Sequence, residues 1–258
     1  MSAGRVLLAA STVAAPVLTL VLSLSPVPWL ALSLPVLYLG VLVAGVMVPR
    51  LAMFAPAIFA LPSARAEVAL TFDDGPDATS TREILAALAR FDARATFFVL
   101  GARARVAPEV LREITAAGHD IGIHGDTHDR LLSLRHPDRI VADLERALAA
   151  VDAATGLRPR WFRPPVGHVS PRTAVAARRL GLVLVGWSVR ARDGLASTTA
   201  KQATRRVLAG VRPGAIVLLH DAAERGDREP VAVAALPGIL EEIARRGLRC
   251  VTLSQVLR

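Results

Sequence analysis

The sequence of 258 residues has very little of three residue classes. It contains one cysteine, Cys250, and one lysine, Lys201, and only 4% of its residues are aromatic. A single cysteine excludes a disulfide bond within the chain and leaves the redox compartment undetermined. The net charge of +9 is carried almost wholly by arginines. Because no basic run is interleaved with aromatic residues, we predict no nucleic-acid partner.

Charge of either sign is absent from a long N-terminal stretch. No charged residue lies between Val6 and Pro49. A membrane-spanning helix needs about 20 apolar residues, so this stretch is long enough for two. The prolines of "SPVPW" end one helix and open the next. We predict an N-terminal segment 1–50 with two transmembrane helices, at about 6–24 and 29–48, and a juxtamembrane linker at 51–66.

The first of these helices has an alternative interpretation as a secretory signal peptide. Such a peptide has an apolar core of about 7–15 residues and then a cleavage site, whereas here the apolar run continues far beyond that length. We therefore predict a multi-pass protein of the cell membrane. Arg5 precedes the first span, and Arg50 and Arg65 follow the second. The positive-inside rule then favours the cytoplasmic side for both ends and for the domain that follows.

From Glu67 onward, short β-rich runs alternate with helical stretches. About seven strands are predicted, from "EVALTFD" at 67–73 to "RCVTL" at 249–253, and they include "LVLVGWSV" at 182–189 as one strand. Repeated βα units predict a parallel sheet covered by helices. No G-x-G-x-x-G follows the first strand, which counts against a dinucleotide-binding domain. We predict an α/β domain over 67–258, a deformed (β/α) barrel.

Nearly all of the unusual polar side chains lie at the C-terminal end of a predicted strand. They are Asp73, Asp74, His124, His128, Arg163, Asp193, His220 and Asp221. In a barrel of parallel strands, the carboxyl ends of the strands lie on one face, and enzymes of this architecture build their active sites there. The sequence therefore predicts a single site at that face.

The motif "HGDTH" places two histidines four residues apart, so that His124 and His128 can present nitrogens to one cation. The pair alone is a weak signal, and it lacks the glutamate of the zincin motif. With Asp74 added, two histidines and a carboxylate leave an open coordination position, which is typical of catalytic zinc sites. Cobalt, nickel or manganese also suit these ligands. Asp73 is then placed to take a proton from a water on the metal.

Five motifs in order, "TFDDGP", "HGDTH", "RPPVG", "WSVRARDG" and "LLHD", resemble those of the polysaccharide deacetylase domain, also known as the NodB-homology domain or carbohydrate esterase family 4. The resemblance covers Glu67 to the C-terminus. It implies a deformed (β/α) barrel and metal-dependent hydrolysis of an N-acetyl group on an amino sugar of a glycan or glycolipid.

The resemblance also implies a role for each matching residue. Asp73 is implied as the catalytic base, Arg163 as the residue that holds it, and His220 as the general acid, with Asp193 tuning it. The backbone N–H of Val166 is implied as part of the oxyanion hole, and the implied metal ligands are Asp74, His124 and His128.

Four positions depart from the family pattern. Gly125 stands for a serine or threonine, and Val166 for a tyrosine; Arg190 and Gly194 stand for an aspartate and a tryptophan. These changes leave the proposed catalytic residues in place and alter the walls of the sugar pocket. Our hypothesis is a wider pocket that accepts a lipid-linked or otherwise atypical acylated sugar.

Two alternatives to N-deacetylation remain open. The same metal site could serve a deformylase or an O-acyl esterase acting on a lipid-linked sugar. The chain could also be an inactive, membrane-tethered saccharide-binding module. The residues that the chemistry needs are all present, which favours an enzyme: Asp73, Asp74, His124, His128, Arg163 and His220.

Overall fold

The computed structural model describes residues 2–25, 27–62, 65–224 and 228–257. Two apolar helices stand at the N-terminus: α1 (Ala3–Ser23) and, after a 3-10 turn (Pro28–Leu32), α2 (Ser33–Met47). Helix α1 begins before Val6, because the Ser2 hydroxyl caps it by accepting the Arg5 N–H. The spans Ala3–Ser23 and Pro28–Met47, with mean hydropathies of 2.1 and 2.3, are long and apolar enough to cross a membrane. By length and composition they suggest a membrane anchor or a signal sequence.

A parallel sheet forms the centre of the rest of the chain. Its strands are β1 (Glu67–Asp73), β2 (Ala95–Val99), β3 (Asp120–Ile123), β4 (Trp161–Phe162), β5 (Val183–Leu184), β6 (Val189–Arg190), β7 (Ile216–His220) and β8 (Arg249–Cys250). The first seven follow the order β5-β4-β3-β2-β1-β7-β6, and β8 pairs with the start of β1. Strands β1 and β2 are buried along their whole length, and β7 is buried up to its last residue, as expected for strands covered on both faces. The predicted deformed barrel of parallel strands is confirmed.

Helices cover the outside of this sheet. They are α3 (Ser80–Arg90), α4 (Gly101–Val106), α5 (Pro108–Ala116), α6 (Pro137–Thr155), α7 (Pro171–Arg179), α8 (Ala200–Gly210), α9 (Val231–Arg245) and α10 (Leu253–Val256). Each longer helix has an apolar face directed at the sheet, as in α5, where Val110, Leu111 and Ile114 are buried.

The prediction of one strand over 182–189 is wrong. The segment forms β5 at one edge of the sheet and β6 at the opposite edge. Seven strands laid flat at about 4.8 Å spacing would put these edges about 29 Å apart. The chain from Leu184 to Val189 reaches at most about 17 Å. The sheet must therefore curl until its edges approach, which produces the nearly closed barrel.

Ile58 and Ala60, in the segment 51–66 that we predict as a linker, help to fill the gap between these edges. The Ile58 N–H donates to the Leu184 carbonyl at 2.9 Å, and the Gly186 N–H donates to the Ile58 carbonyl at 2.8 Å. Ala60 forms a second, antiparallel bridge with Ala215. Because Ile58 and Ala60 pair with residues of the barrel wall, they connect that wall to the end of the apolar hairpin.

Candidate active site

The register of the sheet brings the predicted site together at the carboxyl ends of the strands. Asp73, the last residue of β1, pairs with His220, the last residue of β7. His124 directly follows β3, and Arg163 directly follows β4. One cavity of about 420 Å³ is lined by six of the predicted site residues, namely Asp73, Asp74, His124, His128, Val166 and His220. The other two, Arg163 and Asp193, are buried and contact Asp73 and His220.

Asp74, His124 and His128 form a cluster with the dimensions of a metal site. The Asp74 Oδ1 lies 3.6 Å from the His124 Nε2 and 3.5 Å from the His128 Nε2. Two ligand atoms at about 2.1 Å from one tetrahedral ion stand roughly 3.4 Å apart, close to these separations. The Asp74 Oδ1 is buried and has no hydrogen-bond partner among the described residues. A buried carboxylate oxygen needs a partner, and a cation would supply one, so the three residues fit a divalent ion such as zinc.

Protonation of these side chains also suits a cation. The His124 Nδ1 lies 2.7 Å from the Arg163 carbonyl oxygen, which can only accept, so Nδ1 carries the proton and Nε2 is left with a lone pair. Burial lowers the pKa of His124 to about 4, which keeps the ring neutral near pH 7. Burial raises the pKa of Asp74 to about 7, despite the opposing charge of His220. Loss of hydration therefore disfavours the Asp74 charge more than the His220 charge favours it.

Arg163 holds Asp73 in a fixed orientation. Its guanidinium is completely buried, and Nη1 donates to the Asp73 Oδ1 at 2.7 Å and to the Thr71 hydroxyl at 2.8 Å. Nη2 donates to the Gly186 carbonyl at 2.9 Å. The guanidinium also stacks over the Phe98 ring, 4.1 Å from its centroid. The other Asp73 oxygen, Oδ2, lies 3.8 Å from the His124 Nε2, so it faces the metal cluster.

His220 is held by Asp193 through two contacts. The His220 Nδ1 lies 3.0 Å from the Asp193 Oδ1, and the His220 backbone N–H donates to Oδ2 at 2.8 Å. Burial alone lowers the pKa of His220, but the carboxylates of Asp193, Asp74 and Asp73 outweigh it and raise the pKa to about 10. The imidazole is therefore a cation near pH 7. Since Nδ1 is engaged by Asp193, Nε2 is the nitrogen that can donate to a ligand.

Two of the departures from the family pattern widen the space beside these groups. A Cβ at Gly194 would lie 3.3 Å from the His220 Cε1, so a tryptophan at this position would stand against the imidazole. Val166 lines the cavity, is 37% exposed and has a positive φ of 52°. Because Pro164 and Pro165 carry no N–H, Val166 has the first free backbone donor after Arg163.

Asp221 fixes the turn that carries the two aspartates. It is fully buried; its Oδ1 accepts the Gly75 N–H at 3.1 Å, and its Oδ2 accepts the Thr81 hydroxyl at 2.6 Å. A Cβ at Gly75 would collide with this carboxylate, so glycine is required for the close approach. Burial raises the pKa of Asp221 to about 7. The role of Asp221 is to position the chain after Asp74.

Sequence reasoning missed the charged rim of the cavity. Arg130, Arg192 and Glu224 line it together with the predicted residues. The Glu224 Oε1 lies 3.0 Å from the Arg130 Nε and 3.2 Å from the His128 Nδ1, the latter outside hydrogen-bond geometry. Isolated arginines and glutamates belong to no motif, so only their position in the fold connects them with the site.

Comparison with known proteins places this geometry in a family. A family model described as "Polysaccharide deacetylase" matches residues 61–185. A peptidoglycan-N-acetylglucosamine deacetylase of Bacillus cereus is 33% identical over 200 residues, which cover 77% of this chain and 91% of the relative. A chitooligosaccharide deacetylase of a Bradyrhizobium species is 34% identical over 198 residues, covering 73% of this chain and 90% of the relative.

Solved structures agree with these relatives. The Bc1960 peptidoglycan N-acetylglucosamine deacetylase superposes with a TM-score of 0.72 at 32% identity and covers 78% of this chain and 92% of its own. A family 4 acetyl xylan esterase from Clostridium thermocellum, solved with a cobalt ion, gives a TM-score of 0.66 at 35% identity, covering 73% of this chain and 89% of its own. The chain belongs to the polysaccharide deacetylase family, carbohydrate esterase family 4.

Proposed function

We propose that this protein is a membrane-anchored, metal-dependent hydrolase that removes the N-acetyl group from an amino sugar in a glycan or glycolipid. One observation carries the proposal: the Asp74, His124 and His128 cluster shares one cavity with a carboxylate held by a buried arginine and a histidine held by a buried carboxylate. The relatives named as deacetylases of peptidoglycan and chitooligosaccharides support the reaction class.

The base side of the reaction is assigned to Asp73. A divalent ion held by Asp74, His124 and His128 would lower the pKa of a water from about 16 toward 7 and polarise the amide carbonyl. Arg163 occupies the Asp73 Oδ1, so Oδ2 is the oxygen that accepts the water proton. The Val166 N–H is assigned to the oxyanion, where one such donor contributes about 3 kcal/mol.

The acid side is assigned to His220. An amine is a poor leaving group until its nitrogen is protonated, so the reaction needs a proton donor opposite the base. His220 is a cation, and the Asp193 carboxylate stabilises that charge. Transfer of its proton to the sugar nitrogen releases the amine and acetate.

The Asp193→Asn variant should move the basic limb of the pH–activity profile to lower pH. The pKa of His220 is about 10 because carboxylates outweigh burial. With the Asp193 charge removed, burial still favours the neutral ring, so His220 loses its proton at lower pH. We expect kcat/KM at about pH 8 to fall roughly 10²-fold or more.

The measurement is kcat/KM over about pH 5 to 10 for the wild type, Asp193→Asn, and Asp152→Asn, which changes an exposed aspartate on α6 as a control. An unchanged basic limb in Asp193→Asn would show that His220 is not the group that titrates.

The proposed membrane arrangement uses both N-terminal helices, at about 6–24 and 29–48, with the catalytic domain at 67–258. The Arg50 guanidinium at the hairpin's end donates to the Trp187 and Ser188 carbonyls at 3.1 and 2.6 Å, which ties the hairpin to the barrel. Arginines at both ends of the hairpin favour a cytoplasmic catalytic domain. Accessibility of a C-terminal tag in intact cells tests this: labelling before permeabilisation would place the domain outside.

The reaction itself is tested with the purified, metal-loaded full chain. N-acetylglucosamine oligomers and peptidoglycan fragments are incubated beside matched N-formyl and O-acetyl sugars, and released acetate, formate and free amine are quantified. Acetate together with amine supports N-deacetylation. Turnover of only the formyl or O-acetyl sugars would indicate the deformylase or esterase alternative. Saccharide binding with no turnover of any of them would indicate the binding module.

A further inference from the structure

A second cavity, of about 380 Å³, lies where the apolar hairpin meets the barrel. Met47 and Val48, at the end of α2, form one wall, and Leu184 and Val169 of the barrel form another. Ala57 and other residues of the following segment complete it. Apart from Arg50, Ser188 and Arg190, its lining residues are glycines or have apolar side chains. We call it the membrane-side cavity, since the second predicted span ends in its wall.

The membrane-side cavity adjoins the catalytic cavity. Gly167, Trp187 and Arg190 line both. The hairpin forms part of this boundary, because Arg50 donates to the Trp187 carbonyl and the Val169 N–H donates to the Val46 carbonyl at 3.4 Å. A molecule whose ends differ in polarity could therefore occupy both cavities at once.

Positive charge stands at the boundary between them. Arg190 is exposed, and its guanidinium has no ion-pair partner within the described part of the chain. Arg192 and Arg130 line the catalytic cavity on the same rim, where Arg130 pairs with Glu224 at 3.0 Å. A guanidinium binds phosphate oxygens with paired, charge-assisted hydrogen bonds. The catalytic cavity is thus followed by Arg190, which lines both cavities, and then by an apolar cavity next to a helix long enough to span a membrane.

We propose that the substrate is an acylated amino sugar joined through a phosphate ester to a long hydrocarbon chain. The sugar occupies the catalytic cavity, the phosphate contacts Arg190, and the first part of the chain lies in the membrane-side cavity, with the remainder in the bilayer. This inference rests on the proposed function and specifies its substrate class. A water-soluble glycan has no hydrocarbon chain to bury in this cavity, whereas burial of methylene groups would strengthen binding of a lipid-linked one.

The test compares three substrates with the metal-loaded full chain in lipid nanodiscs: an isoprenoid ester of N-acetylglucosamine 1-phosphate, its methyl ester, and a neutral long-chain alkyl glycoside of N-acetylglucosamine. For the wild type we expect kcat/KM on the isoprenoid ester to exceed that on the methyl ester about 100-fold. Ala57→Phe, which fills the membrane-side cavity, should lower this ratio about 10-fold or more. Because the substrates partition into the nanodiscs equally for the wild type and Ala57→Phe, a change in this ratio reports the contribution of the membrane-side cavity to substrate binding.

Arg190→Gln provides a second variant that does not disturb a packed region. It should lower kcat/KM on both phosphate esters about 10-fold relative to the neutral glycoside, since one charge-assisted contact is lost. Arg212→Gln, at an exposed arginine outside both cavities, should preserve all ratios. Equal efficiency on isoprenoid and methyl esters, with hydrolysis of both, overturns this inference and leaves the deacetylase function intact. Failure to hydrolyse any acylated sugar overturns both.

A binding experiment gives a readout that needs no turnover. A photoreactive isoprenoid phosphate without a sugar should label peptides covering 47–59 and 184–190, and unlabelled isoprenoid phosphate should compete. Labelling elsewhere in the chain overturns the proposal, as does equal competition by phosphatidylglycerol, because the cavity would then hold bulk lipid.

Discussion

The Asp73→Asn variant will lose roughly 10³- to 10⁴-fold in kcat and keep its metal. Asparagine has the size of aspartate, and its carbonyl oxygen can still accept the Arg163 Nη1 donor that now lies 2.7 Å from Oδ1. It cannot accept a proton from water near pH 7. Asp73 is not among the three clustered ligands, so metal content should stay at the wild-type value. The measurement is turnover of an acetylated sugar together with metal stoichiometry by elemental analysis.

The control is Asp92→Asn, at an exposed residue on a turn after α3. A thermal unfolding curve should accompany the kinetics, because the Arg163 guanidinium is completely buried and loses its neutralising charge. We expect Asp73→Asn to be destabilised by about 1–3 kcal/mol and still folded. Residual activity within tenfold of the wild type would show that another group takes the proton, and loss of metal would place Asp73 among the ligands.

Much of this site was predictable because the chemistry-bearing residues are adjacent in sequence to strand ends. Asp73 and Asp74 close a buried apolar run, and His220 closes another, so a parallel sheet alone brings them to one edge. That Arg163 holds Asp73 and that Asp193 holds His220 could be inferred only through the family resemblance. The structure supplies the geometric reason: Arg163 reaches Asp73 from β4, two strands beyond the neighbouring β2.

The segment 182–189 shows where sequence periodicity fails. "LVLVGWSV" is apolar apart from Gly186 and Ser188, as a single buried strand could be, yet its ends belong to opposite edges of the sheet. Nothing local distinguishes a strand that continues from one that crosses the gap of a barrel. The bridge partner that would reveal the gap is Ile58, more than 120 residues away along the chain. The membrane-side cavity could not be predicted for the same reason, because its walls come from parts of the chain that are distant in sequence.

Removal of the metal will abolish hydrolysis, and added divalent ions will restore it. The wild type treated with a chelator should lose roughly 10³-fold or more in rate and recover with zinc or cobalt. His128→Ala removes one of the three clustered ligands and should not recover at the same ion concentration. His136→Ala, at an exposed histidine before α6, is the matched control and should recover like the wild type. Full activity of the chelated protein, with metal absence verified, would contradict a metal-dependent reaction.

The pH dependence of metal binding follows from the same buried carboxylate. In the metal-free protein the pKa of Asp74 is about 7, above its ordinary 3.8, because burial disfavours the ion. The folded state then holds a proton that the unfolded state has released, so the contribution of Asp74 to the stability of the metal-free protein falls as pH rises from about 4 to 7. A bound cation replaces that proton. Added zinc should therefore raise the melting temperature more at about pH 8 than at about pH 5.5, and calorimetry should show proton release at the lower pH. If zinc raised the melting temperature equally or less at pH 8, Asp74 would not be a ligand of the cation. The assignment of the other carboxylate, Asp73, as the free base would then also be wrong.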